Sequence, residues 1–191
     1  MKKLIIAATL ITTVSFIACN SSANTDSVTA AKDSNAIKID SSVINDSIKR
    51  DVKFTVTAAN GGMTEVQVSK LALTKSSNPD VTMFAQMMVT DHSKANDELK
   101  ALAATKNITL PIAISDDNQK KIDKLSAESA KDFDKDYSDM MVNDHKSTVD
   151  LFKTEADNGN DSTIKAWATA TIPTLIHHLD MADSLYERVH K

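Results

Sequence analysis

The chain has 191 residues, of which 26 are acidic and 22 are basic, and it contains one cysteine. This length suits one domain with a single hydrophobic core. The excess of acidic residues argues against nucleic acid as a partner, and a lone cysteine cannot form a disulfide within the chain.

The first 19 residues have the pattern of an export signal. Lys2 and Lys3 precede an apolar run from Leu4 to Ile17, which is too short to span a bilayer as a mature helix. The segment SFIAC ends at Cys19 and resembles a bacterial lipoprotein signal, with cleavage before Cys19 and a lipid on its sulfur. An ordinary secretory signal with an incidental cysteine is the alternative. In either case, we expect an exported protein. A lipid on Cys19 would anchor it to the membrane, which is the one partner that the sequence indicates.

Residues 20–45 are predicted to be a disordered tether. They are rich in Ser, Asn, Asp, Thr and Ala, and apolar residues are few and without a sustained period. Such a segment buries too little apolar surface to offset the entropy of ordering it.

Residues 46–191 are predicted to form one all-α domain with four long helices. The first covers about Asp46 to Ser76, and the second begins at Pro79 with Asn78 as its cap. The third begins near Ala130, and the fourth follows a tight turn and is capped by Asp161 or Ser162.

The segment between the second and third long helices decides the topology. Residues 108–112 suggest an extended connection, and Ser115 caps a short helix with Ile122 and Leu125 on its apolar face. Together they are long enough to return along the whole bundle. We therefore favour the crossover of ferritin-like bundles over a plain up-down-up-down arrangement.

A six-residue motif occurs twice: residues 87–92 are MMVTDH and residues 140–145 are MMVNDH. Each copy places its histidine, His92 or His145, on the apolar face of a predicted helix. The fourth helix places His178 on its apolar face, and the first places Glu65 there. By helical rise all four lie near the middle of the bundle. Because buried polar groups need partners, we expect these four side chains to form one cluster.

Five segments together resemble the bacterial family known as domain of unknown function 4142. They are GGMTE at 61–65, FAxxMVxDH at 84–92, FDxxY at 133–137, MVxDH at 141–145 and PxLxxHL at 173–179. Members are often described as outer membrane proteins and grouped with the ferritin-like superfamily. The resemblance implies a ferritin-like four-helix bundle in the cell envelope, facing the periplasm from the outer membrane, and it implies no established activity.

Two interpretations of the cluster stay open. Glu65, His92, His145 and His178 could hold one transition-metal ion, since imidazole and carboxylate suit zinc, copper, iron or nickel. They could also form a polar network without metal, which we favour from the sequence alone. A di-iron centre fits less well, because Val89, Val142 and Leu175 stand where Glu would be needed. The expected surrounding groups are Asp91, Asp144, Tyr137, Met88 and Met141, the two methionines being ordinary core residues or thioether ligands for copper.

The sequence gives no support for nucleophilic catalysis. Cys19 is committed to lipid, and neither a glycine-flanked serine elbow nor a glycine-rich phosphate loop is present. We therefore expect a lipid-anchored binding or structural protein of the envelope, or alternatively a metal-binding protein, and we lean against an enzyme.

Overall fold

The structure, a computed structural model, describes residues 25–40 and 46–191. The predicted export signal and Cys19 lie outside these residues. The described residues form six helices: α1 (Ser27–Asp40), α2 (Asp46–Lys75), α3 (Pro79–Thr105), α4 (Asp116–Ser126), α5 (Ala130–Asn158) and α6 (Ser162–Val189). The all-α prediction is confirmed. Within the described residues, no helix combines the length and the apolar character that a membrane span requires.

Side-chain caps fix where the helices begin. Asn78 accepts a hydrogen bond from the backbone of Asp80 at the start of α3, next to Pro79. Ser115 caps α4 and Asp161 caps α6 in the same way. These three caps were predicted, and they supply acceptors for N–H groups that a helix leaves unpaired at its first turn.

One end of the bundle contains the turn between α5 and α6. Lys106, just after α3, donates to Asp161 at the start of α6 over 2.6 Å. Arg50, near the start of α2, donates to the backbone oxygen of Asn158 at the end of α5 over 2.5 Å. The end of α3 and the start of α2 therefore lie at the α5–α6 turn.

The turn between α2 and α3 lies at the opposite end. Arg188 of α6 pairs there with Asp80 of α3 over 3.0 Å, and Lys75 of α2 donates to backbone oxygens of Ser126 and Glu128 just before α5. Consequently α3 and α5 run parallel. The two hairpin turns therefore lie at opposite ends, and the connection between α3 and α5 returns along the bundle.

The connection between α3 and α5 follows α2 along its length. The backbone of Ser115 donates to Asn60, and Asn118 of α4 donates to Thr64 one turn further along α2, each over 2.8 Å. The short helix therefore covers the gap between α2 and α5 on this side of the bundle.

The prediction of a disordered tether over residues 20–45 is wrong for residues 27–40, which form α1. Val28 and Ala31 are buried against Val56 of α2. Asn35 is also buried, and it exchanges two hydrogen bonds of 2.8 Å with the backbone of Thr109. A short helix with few apolar residues is ordered here because its polar side chains satisfy the extended connection after α3.

Two apolar clusters fill the bundle, one toward each end. The cluster toward the α2–α3 turn contains Phe84, Met88, Phe133, Tyr137 and Met141 among others. The cluster toward the α5–α6 turn is built around Phe54, Phe152 and Leu175. The predicted polar residues lie between these two clusters.

Candidate metal centre

Each of the four long helices contributes one polar side chain to the middle of the core. Glu65 of α2, His92 of α3, His145 of α5 and His178 of α6 are 3%, 6%, 0% and 1% exposed. The three histidines each offer one ring nitrogen, and these nitrogens lie within 4.8 Å of one another. The structure therefore brings the four predicted residues together; their role as metal ligands stays a prediction.

The carboxylate of Glu65 joins two of the histidines. Its Oε2 lies 2.5 Å from Nε2 of His92 and 3.6 Å from Nε2 of His145. Burial alone would raise the pKa of Glu65, but the charges of the three imidazoles and the hydrogen bond from His92 outweigh it and hold that pKa at about 2. Burial would lower the pKa of His92, yet the charge of Glu65 raises it overall. Both shifts favour the charged pair, a carboxylate beside an imidazolium.

The other two histidines are fixed through one ring nitrogen each. Nδ1 of His145 lies 2.9 Å from the backbone oxygen of Met141, and Nε2 of His178 lies 3.0 Å from the carboxylate of Asp91. Because both acceptors can only accept, these ring nitrogens carry the hydrogens. The remaining ring nitrogens are Nε2 of His145, which lies 3.6 Å from Oε2 of Glu65, and Nδ1 of His178.

These two nitrogens are buried and lack a hydrogen bond from any described protein atom. Burial is the main reason why the pKa of His178 falls to about 4, so this ring is neutral at neutral pH. A buried acceptor without a donor costs free energy. The arrangement, with one ring nitrogen donating to a carbonyl or carboxylate and the other bare, is that of metal-bound histidines.

The remaining predicted residues surround the cluster in different ways. Asp91 orients His178, as described. Tyr137 shares a hydrogen bond of 2.9 Å with Ser69, and burial raises its pKa. Met88 and Met141 are fully buried in the apolar cluster toward the α2–α3 turn, where they act as core residues. Asp144 is half-buried, and this burial raises its pKa.

A cavity of about 360 Å³ adjoins the cluster on the side of the α5–α6 turn. Glu65, His92 and His178 form its polar wall, with Asp91 and Asp144 beside them. The other walls are mainly apolar and include Leu99, Leu151, Phe152, Trp167 and Leu175. A small molecule bound in this cavity would therefore lie next to the cluster.

The two glycines before the cluster have different environments. A Cβ atom on Gly62 would overlap Oδ1 of Asn96, so this glycine makes room for the Asn96 side chain of α3. A Cβ atom on Gly61 would meet no atom within 4 Å, and Gly61 lines the cavity. Close packing therefore does not account for Gly61.

Sequence reasoning missed a buried acidic pair near the α5–α6 turn. Asp51 accepts hydrogen bonds from the backbone of Asn160 and Asp161, and Glu155 is 1% exposed beside it. Burial and the charge of Asp51 raise the pKa of Glu155 to about 7. The signal was available, because Glu155 lies three residues after Phe152 on the inner face of α5.

The chain is thus an all-helical bundle with a mid-core cluster of one carboxylate and three imidazoles. The sequence model of a family described as "Domain of unknown function (DUF4142)" matches residues 23–185, so the chain belongs to this family. This confirms the resemblance seen in the sequence. No curated protein matches the chain.

A solved structure with a similar fold is the crystal structure of a DUF305 fragment from Deinococcus radiodurans. The TM-score is 0.65 at 12% identity, over 73% of this chain and 96% of that chain. At this identity the likeness shows a shared fold alone.

Proposed function

We propose that this protein binds one transition-metal ion at the centre of its bundle through His92, His145, His178 and Glu65. The observation that carries the proposal is the pair of bare, buried ring nitrogens on His145 and His178. A polar network alone leaves both nitrogens without a hydrogen-bond partner, whereas a metal ion would satisfy both. This reverses the preference that we drew from the sequence.

Metal binding requires only small movements of the side chains. Nitrogens bound to zinc at about 2.1 Å in tetrahedral geometry are about 3.4 Å apart, and the three histidine nitrogens already lie within 4.8 Å. His92 would release its proton on binding, so protons and metal compete for the site. Glu65 would then balance part of the charge of the ion.

The donor set suits zinc, copper, iron or nickel. The burial of Met88 and Met141 in the apolar cluster supports core packing for both and gives no reason to prefer copper. A single ion fits the one inner carboxylate better than a di-iron centre, which needs several carboxylates.

A metal-free structural role is the second candidate. The 2.5 Å contact between Glu65 and His92 supports it, since a carboxylate and an imidazolium satisfy each other without an ion. In that case the protein would be a non-enzymatic binding or structural module of the envelope.

We also propose that the protein is a lipoprotein of the outer membrane, facing the periplasm. The support is the segment that ends at Cys19, together with the family resemblance. The crossover between α3 and α5 and its short helix support placing the bundle with ferritin-like proteins.

Calorimetric titration with zinc and with copper tests metal binding, using His178→Gln against His177→Gln. His177 is the adjacent histidine on α6 and is exposed, so it controls for general loss of an imidazole. Wild type and His177→Gln should bind either ion and lose thermal stability with a chelator, while His178→Gln should bind much more weakly. If the wild-type protein binds neither ion, metal binding is refuted and the metal-free structural role remains.

A further inference from the structure

On the side of the α5–α6 turn, three of the four long helices place a small residue one turn from the Glu/His cluster. One turn from the cluster, α2 has Gly61, α3 has Ala95 and α5 has Thr148, and all three line the cavity. One turn away on the opposite side, α3 has Met88 and α5 has Met141, both fully buried. The small residues therefore leave space on the side of the α5–α6 turn, whereas Met88 and Met141 fill the space on the opposite side.

Gly61 shows that this space is not required by helix packing. A glycine inside a helix costs about 1 kcal/mol relative to alanine, and no neighbouring atom prevents a Cβ atom at this position. Glu65 lies four residues later, so both residues share the inner face of α2. The glycine keeps open the part of the cavity that lies next to the carboxylate.

Three residues of the cluster, Glu65, His92 and His178, line this space. His178 is 1% exposed and lines the cavity, and its Nδ1 has no hydrogen bond from a described protein atom. The same holds for Oε2 of Glu65, apart from its contacts with the histidines. An ion held by the cluster would therefore lie next to the cavity.

We infer that the cavity binds a small, mostly apolar molecule whose neutral nitrogen donor completes the coordination of the ion. This inference rests on the proposed function. A volume of about 360 Å³ lies in the lower part of the range of small-molecule sites, about 300–1,000 Å³. The walls formed by Leu99, Phe152, Trp167 and Leu175 would remove the apolar part of the ligand from water.

The charges around the cavity select against anionic ligands. Glu65, Asp91 and Asp144 line it, and Lys121 is the basic residue among its lining residues. The three carboxylates offset the charges of a divalent ion and of Lys121, so the cavity offers a carboxylate ligand no net positive charge, whereas a neutral donor such as an imidazole needs none. The ligand is therefore expected to carry an aromatic or aliphatic nitrogen that is not protonated when bound.

Cobalt(II) absorption tests the inference, because its visible bands respond to a change of ligands. The purified full-length chain is loaded with cobalt(II) and titrated with 4-phenylimidazole and, separately, with benzoate, which is anionic. We expect 4-phenylimidazole to change the bands saturably and benzoate to leave them unchanged. An equal response to benzoate would overturn the charge selection, and no response to 4-phenylimidazole would overturn the ligand site.

Two variants place the ligand in the cavity. Gly61→Leu fills the space beside Glu65 and should weaken 4-phenylimidazole binding at least about tenfold, while Ala101→Leu on the exposed face of α3 should bind like wild type. Gly61→Ala, which restores helix propensity, should raise the melting temperature and weaken binding less than Gly61→Leu. Unchanged binding in a folded Gly61→Leu chain that holds cobalt would overturn the placement.

The same experiment distinguishes a failure of the metal-binding proposal from a failure of the ligand-site proposal. If wild type takes up no cobalt, both the metal site and this inference are refuted. If it binds cobalt and 4-phenylimidazole has no effect, the metal site stands and only the ligand site is refuted.

Discussion

Replacement of Glu65 by leucine, measured without metal, tests whether the four polar side chains act as one unit. Glu65 is 3% exposed and its pKa is held at about 2, against 4.5 for the free side chain. This difference corresponds to about 3 kcal/mol of stability. Because the folded-state pKa is depressed, the contribution is fully present above pH 4.5 and is lost as the pH falls toward 2. Glu65→Leu leaves the buried His92 without its counter-charge and should cost about 3 kcal/mol at pH 7.

A fourfold variant should cost far less than the four single changes added together. Replacing the carboxylate and all three histidines by leucine removes both sides of the buried contacts, so no charge is left without a partner. Asp91 would lose His178, but its side chain is 41% exposed and water can solvate it. We expect a net cost below about 1 kcal/mol.

Urea unfolding with a chelator present measures both variants, with Gln67→Leu on the exposed face of α2 as control. The control should stay close to wild type. If the cost of the fourfold variant equals the sum of the single costs, the four side chains are independent, and the reasoning that treats them as one cluster is refuted.

Three further predictions concern other parts of the chain. Cys19→Ser should abolish labelling by fatty acid in cells, and labelling that persists would contradict the lipid anchor. Asn35→Ala should cost about 2 kcal/mol in urea unfolding, because the backbone groups of Thr109 lose both partners; a cost no larger than that of Asp33→Ala, an exposed change on the same helix, would contradict the role of Asn35. The pKa of Glu155 is raised from 4.5 to about 7, so the folded state holds a proton that the unfolded chain releases, and stability should fall as the pH rises from 4.5 to 7. Glu155→Gln should remove this fall when urea unfolding is compared at pH 5 and pH 8, and an identical pH dependence in the variant would contradict the assignment.

Helix boundaries could be predicted from the sequence because their causes are local. Asn78 and Ser115 cap the helices that follow them, within two or three residues along the chain. The position of the cluster could also be predicted, since each of its members interrupts an otherwise apolar helix face. Helical rise was enough to place the four side chains at the same height.

Contacts between distant residues could not be predicted in the same way. The order of α1 depends on Asn35 and Thr109, which are 74 residues apart. Asp91 precedes His92 in the sequence, yet it orients His178 on another helix. Periodicity shows which face of a helix is buried, but not which polar group on a neighbouring helix lies opposite.

The cavity could not be predicted from the sequence for a related reason. Gly61 and Ala95 fit the pattern of a tightly packed helix face, and small residues at such positions commonly allow helices to approach. The structure instead leaves open space over Gly61. Whether small residues bring helices together or leave a cavity depends on the side chains of all four helices at once.

X-ray absorption of the zinc-loaded chain tests the central claim most directly. The account predicts nitrogen and oxygen neighbours at about 2.0–2.1 Å with the outer-shell scattering of about three imidazoles. His177→Gln should give the same spectrum as wild type. A sulfur neighbour at about 2.3 Å, or a zinc ion surrounded by oxygen without imidazole scattering, would contradict a metal centre formed by His92, His145, His178 and Glu65.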